Sequence, residues 1–125
     1  MKTLILFGLG VVLLSACGSS SSSPAATGAC ASSLFVGSWA GSVAGNADVM
    51  TLNADCTASS LYCVASFTYP NVTTTSGNAA IKTISTSGKT GCAPVGDMTC
   101  GYVLSNSNNT LAFSCTAGTL TYTRQ

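Results

Sequence analysis

The stretch Cys100-Gly101-Tyr102-Val103-Leu104-Ser105-Asn106-Ser107-Asn108-Asn109-Thr110-Leu111-Ala112-Phe113-Ser114-Cys115 carries the clearest folding signal in the chain. Asn106–Asn109 is turn chemistry, because Asn tolerates left-handed backbone and its side chain bonds to its own main chain. The runs on either side alternate apolar with small polar residues, the period-two pattern of a strand with one buried face. Folding the runs back so that Leu104 meets Leu111 sets Tyr102 against Phe113 and Cys100 against Cys115. Those six side chains share one face, and Gly101, Val103, Ala112 and Ser114 take the other. Cys100–Cys115 is therefore the favoured disulfide. Its rival is Cys92–Cys100, which would close the Ala93–Thr99 loop, and the other pairings stay open.

The same alternation runs outward from this hairpin. From Cys30 onward there is no apolar stripe at helical spacing. Strands are expected over Leu34–Ala44, Ala47–Asn53, Thr57–Tyr69 (long enough to be two strands bent in the middle), Ala79–Ser85, Thr99–Ser105, Asn109–Cys115 and Thr119–Arg124. Turn residues separate them at Gly45-Asn46, Asn53-Ala54-Asp55 and Asn106–Asn109, with longer loops at Tyr69–Gly77 and Gly88–Met98. The expected inward positions are Phe35, Gly37 and Trp39; Met50 and Leu52; Leu61, Cys63, Ala65 and Phe67; Ala79 and Ile81; Leu120 and Tyr122. Consecutive short strands with one apolar face predict an all-β fold. It is a small antiparallel meander of seven or eight strands, closed as a barrel or stacked as a two-layer sandwich and stapled by disulfides.

The N-terminus reads differently. Lys2 precedes a continuous apolar run, Leu4–Leu14, of signal-peptide length and too short to span a bilayer as a helix. It ends in Leu14-Ser15-Ala16-Cys17. This resembles the bacterial lipoprotein lipobox, an aliphatic residue and two small ones before Cys. The resemblance implies cleavage before Cys17 and lipidation of its sulfur, with two or three acyl chains giving stable membrane anchoring. Gly18 after the Cys resembles lipoproteins sent to the outer membrane. Three segments follow: a signal peptide over 1–16, a lipidated Cys with a Ser-rich flexible tether over 17–29, and a β domain over 30–125.

Assigning Cys17 to the anchor leaves six of the seven cysteines: Cys30, Cys56, Cys63, Cys92, Cys100 and Cys115. An even number in a small exported domain reads as three disulfides. No C-x-x-C motif is present, so neither zinc nor redox chemistry is expected. Beyond Cys17, the cations Lys82, Lys89 and Arg124 balance Asp48, Asp55 and Asp97. That balance gives no electrostatic footprint for nucleic acid.

Gly37-Ser38-Trp39 on the first strand and Arg124 at the end of the last are similar to the lipocalin/avidin (calycin) arrangement. There, a Trp at the closed end of a barrel is covered by an Arg from the final strand. The resemblance implies structural roles for Gly37, Trp39 and Arg124. The segment Tyr102–Arg124 also resembles the lipocalin-like domains of bacterial lipoproteins.

The chain has no His and no Glu. The commonest general acid/base, the commonest metal ligand and any Ser-His-Asp triad are thereby missing. Asp55 sits in a turn, and Asp48 and Asp97 are expected to be solvated. Neither a catalytic residue nor a cofactor or metal is expected, and the chain is not read as an enzyme. The expected role is an envelope-anchored lipoprotein, held to the membrane by lipid on Cys17 and presenting a small binding or interaction domain. Its partner would be a small apolar ligand or an envelope protein, contacted through a pocket or through the loops Pro70–Gly77 and Lys89–Met98. The alternative is a structural envelope component or an inhibitor of a secreted hydrolase.

Overall fold

The computed structural model describes residues 28–125; the expected signal peptide, the expected lipidation site Cys17 and most of the expected tether lie outside them. Eight antiparallel strands follow one another around a closed barrel: β1 (Gly37–Val43), β2 (Asn46–Leu52), β3 (Thr57–Ser60), β4 (Ala65–Thr68), β5 (Ser76–Ser85), β6 (Gly96–Ser105), β7 (Thr110–Cys115) and β8 (Gly118–Arg124). Each strand pairs with the next. β8 returns to β1 through Trp39↔Arg124, Ala40↔Thr123 and Gly41↔Tyr122. Closure removes the free sheet edges that would otherwise template association. No helix occurs among the described residues.

In this up-and-down topology the β1–β2, β3–β4, β5–β6 and β7–β8 connections share one end, and the start of β1 and the end of β8 lie at the other. The terminal end is plugged. Residues 28–36 cross it, held by the Cys30–Cys56 disulfide and by Cys30 N–H donating to the Ala54 carbonyl at 2.8 Å. Buried Ser33 Oγ accepts from the N–H groups of Phe35 and Val72, each at 3.2 Å. Phe35, fully buried, drives its ring between Tyr102 (5.0 Å, edge-on) and Phe113 (5.5 Å, edge-on). Such pairs add about 0.5–1.5 kcal/mol beyond area burial.

Trp39 and Arg124 complete the plug. The indole is fully buried and its Nε1–H donates to the Phe35 carbonyl at 2.8 Å. The Arg124 guanidinium lies 4.2 Å over the ring. It donates to the carbonyls of Val36 (2.7 Å), Leu34 (2.8 Å) and Asn108 (3.2 Å). One planar cation thus ties together the N-terminal crossing and the β6–β7 turn. Gly37 makes room for it: a Cβ there would meet Arg124 Nη1 at 2.6 Å, and its φ of 141° disfavours any other residue.

The barrel interior is the alternating face of every strand. β6 and β7 pair Leu104 with Leu111 and Tyr102 with Phe113, and a disulfide joins Cys100 to Cys115. The third disulfide joins Cys63 to Cys92, which excludes the Cys92–Cys100 alternative. The strand expected from Leu34 starts only at Gly37, because residues 34–36 serve as the plug. The long Thr57–Tyr69 run is two strands, the option its length had left open, separated by a turn at Leu61–Val64. That turn resets the parity, so Ala58 and Ser60 face inward ahead of it and Leu61, expected inside, is 72% exposed.

Candidate functional site

Behind the plug the barrel is not filled. A cavity of about 360 Å³ runs from the core toward the opposite end, walled by Met50, Leu52, Phe67, Ile81, Met98 and Phe113 among others. Native cores rarely leave voids larger than a water molecule, whereas ligand pockets begin near ~300 Å³. The space arises where the strands pair large residues with small ones. Ala58 and Ser60 on β3 face the lumen with little volume, and the Cys100–Cys115 bridge lines one wall without filling it.

The mouth is covered by the β5–β6 connection. The Cys63–Cys92 disulfide pins it to the β3–β4 turn, Ser87 N–H donates to the Cys63 carbonyl at 2.9 Å, and the Lys89 ammonium lies 5.0 Å from the Tyr62 ring centroid. Gly91 packs against the β1–β2 hairpin so closely that a Cβ there would sit 3.0 Å from Val43 Cγ1. Leu61, Val64 and Val95, on the turn and the loop bordering this end, are exposed apolar side chains. The two expected contact loops therefore separate: Lys89–Met98 borders the mouth and runs into β6, while Pro70–Gly77 lies at the plugged end.

One carboxylate is buried within the barrel. Asp48, expected to be solvated, is only 2% exposed. A buried charge is costly unless satisfied, and three donors converge on it. Tyr62 N–H reaches Oδ1 at 2.8 Å, Ser60 Oγ–H lies 2.9 Å from Oδ1 and 3.0 Å from Oδ2, and Tyr122 O–H reaches Oδ2 at 2.9 Å. The signal for this placement is its parity: Asp48, Met50 and Leu52 alternate on β2 and share the inner face. Gly41 sits between the two partners, paired with Asp48 on one side and with Tyr122 on the other. Its bare backbone lets the Tyr122 ring lie across β1, where a Cβ would be 2.6 Å from Tyr122 Cδ1. Burial first, then the hydrogen bond and charge of Asp48, push the Tyr122 phenol far above its usual range.

Asp55 has a different role. It is fully exposed in the β2–β3 turn, where its Oδ1 accepts from Thr57 N–H at 3.0 Å and from the Thr57 hydroxyl. Those bonds hold its carboxyl below the usual range. Among the described residues no group of three His, Cys, Asp or Glu could hold a metal ion. The residues that the sequence singles out thus fall into separate places: Gly37, Trp39 and Arg124 at the plug, Cys30–Cys56 beside them, Cys63–Cys92 at the mouth and Cys100–Cys115 in the cavity wall. Ser60, Tyr122 and Asp48 were not foreseen as a cluster. Comparison with protein-family models, with curated proteins and with solved structures finds no match for the chain.

Proposed function

We propose that this chain is a lipid-anchored envelope protein whose barrel binds a small apolar ligand in its interior. The observation that carries the binding reading is the cavity of about 360 Å³ lined mainly by aliphatic, aromatic and disulfide groups in the barrel interior. The anchoring reading is supported by Leu14-Ser15-Ala16-Cys17 and the apolar run before it. The lipocalin-like reading is supported by the Gly37, Trp39 and Arg124 arrangement at the plugged end. Residue 28, where the described chain begins, lies at the plugged end of the barrel.

The test is native mass spectrometry of the protein released gently from the envelope that produces it. A bound apolar molecule that dissociates on activation supports the reading. Recovery of apo protein alone, with no saturable uptake of apolar compounds afterwards, refutes it. For the anchor, metabolic labelling with radioactive palmitate should mark the wild type and not Cys17→Ser.

A second reading, attachment to an envelope protein or to a secreted hydrolase, is favoured by one feature. An open groove on the outer barrel surface is lined by Val49, Leu61 and Val64, all exposed. Cross-linking from position 61 would recover such a partner.

A further inference from the structure

The cavity's polar wall is one-sided. Four residues bearing hydroxyls line it, Ser60, Tyr69, Thr119 and Tyr122. Thr119 is solvent-exposed beside the β7–β8 turn, and each of the three inward-facing ones has its proton committed elsewhere. Tyr122 and Ser60 donate to Asp48, and Tyr69 donates to the Asn53 carbonyl. A hydroxyl has one proton and two lone pairs. Tyr122, a lining residue, therefore has lone pairs and no free proton to offer a ligand, while Ser60 also accepts from Cys63 N–H at 3.3 Å. Behind these two hydroxyls lies the Asp48 carboxylate. No Lys or Arg borders the cavity: Arg124 is bound at the plug and Lys89 lies over Tyr62 outside the loop.

From this geometry we infer that the cavity takes an apolar ligand ending in a hydrogen-bond donor, an alcohol or an amine, and rejects a fatty-acid carboxylate. The inference rests on the ligand-binding reading and narrows it. A carboxylate offers only acceptors, so it would leave water for a wall that offers acceptors in return and holds a like charge one hydrogen bond away. A hydroxyl or ammonium donates to Tyr122 Oη and extends the chain of hydrogen bonds to Asp48, which strengthens each link.

The experiment loads purified, oxidised protein with the neutral probe N-phenyl-1-naphthylamine and displaces it at neutral pH with decanol, decylamine or decanoate. Decanol and decylamine should displace at concentrations at least about tenfold lower than decanoate, the factor expected for one mismatched charge near a partly buried site. In Asp48→Asn the gap should narrow. Should that variant fail to fold, Tyr122→Phe removes the lone-pair acceptor while keeping the ring, and decanol should weaken while decanoate does not. Equal displacement by all three, or tightest binding of decanoate, overturns the selection and leaves the cavity reading standing. No uptake of the probe and no binding of any of the three overturns the cavity reading itself.

Discussion

Asp48 and Tyr122 are bonded to each other across a strand that lies between them. The Tyr122 hydroxyl donates to Asp48 Oδ2 at 2.9 Å, yet β8 and β2 do not pair. The bond passes over Gly41, the one inward position of β1 between them that carries no side chain. At the other end of β1, Arg124 passes over Gly37 in the same way. The alternating Gly37, Trp39 and Gly41 are therefore two gaps and a pillar, and each gap lets the last strand reach across the barrel seam.

Removing either member of the first pair should be expensive. Asp48→Ala strands the Tyr122 and Ser60 hydroxyls and the Tyr62 N–H, and should cost about 2–4 kcal/mol by urea unfolding. Gly41→Ala, which adds a methyl into the Tyr122 ring and 2.7 Å from the Thr121 carbonyl, should cost ~1–3 kcal/mol. Combined with Tyr122→Ala, the Gly41 cost should shrink, because the two changes share a contact.

Arg124 should behave as a clamp that Lys cannot replace. Arg124→Lys keeps the charge but loses the fork that spans three carbonyls, so it should retain little of the wild-type advantage over Arg124→Ala, itself about 2–3 kcal/mol destabilised. If Lys matches Arg in urea midpoint, the fork geometry is not what holds the plug.

Two tyrosines make the fold sensitive to alkali. Burial first, then the Asp55 charge, push the Tyr69 phenol up to about 12, and Tyr122 moves in the same direction. Both therefore stay protonated in the fold after the unfolded chain begins to ionise near its ordinary value of 10. Above that pH the unfolded state binds fewer protons, so stability falls as pH rises toward 12. Urea midpoints should be flat from pH 7 to 9 and drop between 10 and 12. The drop should be smaller in Tyr69→Phe.

Much of this was legible from the chain. The β6–β7 register follows from Asn106–Asn109 and two Leu residues, and the antiparallel meander follows from consecutive short strands with one apolar face. Whether it closes as a barrel or stacks as a sandwich does not follow, because the β8–β1 pairing joins the two ends of the domain. What was not legible has physical causes. Residues 34–36 have the composition of a strand but are captured by the plug, because Phe35 finds three aromatic neighbours there. The turn at Leu61–Val64 contains no Gly, Pro, Asn or Asp, and Val64 takes a positive φ of 45° without the usual residue for it. The turn therefore hides inside an apolar run and inverts the parity of Ala58 and Ser60. Asp48 was read from its charge, although its spacing with Met50 and Leu52 placed it inside. Its partners Ser60 and Tyr122 lie 12 and 74 residues away, beyond what local pattern reveals.

The three disulfides divide the barrel's mechanics. Closing loops of 15 to 29 residues, each should contribute ~3 kcal/mol by restricting the unfolded chain. Cys63–Cys92 also holds the mouth loop. Replacing both with Ser should raise hydrogen exchange across residues 86–95 while leaving amides around Trp39 protected. Equal loosening at both ends would mean that the loop is not an independent unit.

The central claim is that the interior of this barrel is a ligand site, and filling it tests that most directly. Ile81 borders the cavity from β5, and Ile81→Trp places an indole in the empty volume. Titrating N-phenyl-1-naphthylamine into the wild type should give saturable, one-to-one fluorescence enhancement. The variant, with an unchanged far-ultraviolet spectrum and a cooperative melt, should bind at least about tenfold more weakly, as expected when the apolar contact area for a ligand is lost. Saturable binding of equal strength in both proteins, or none in the wild type, would contradict the claim.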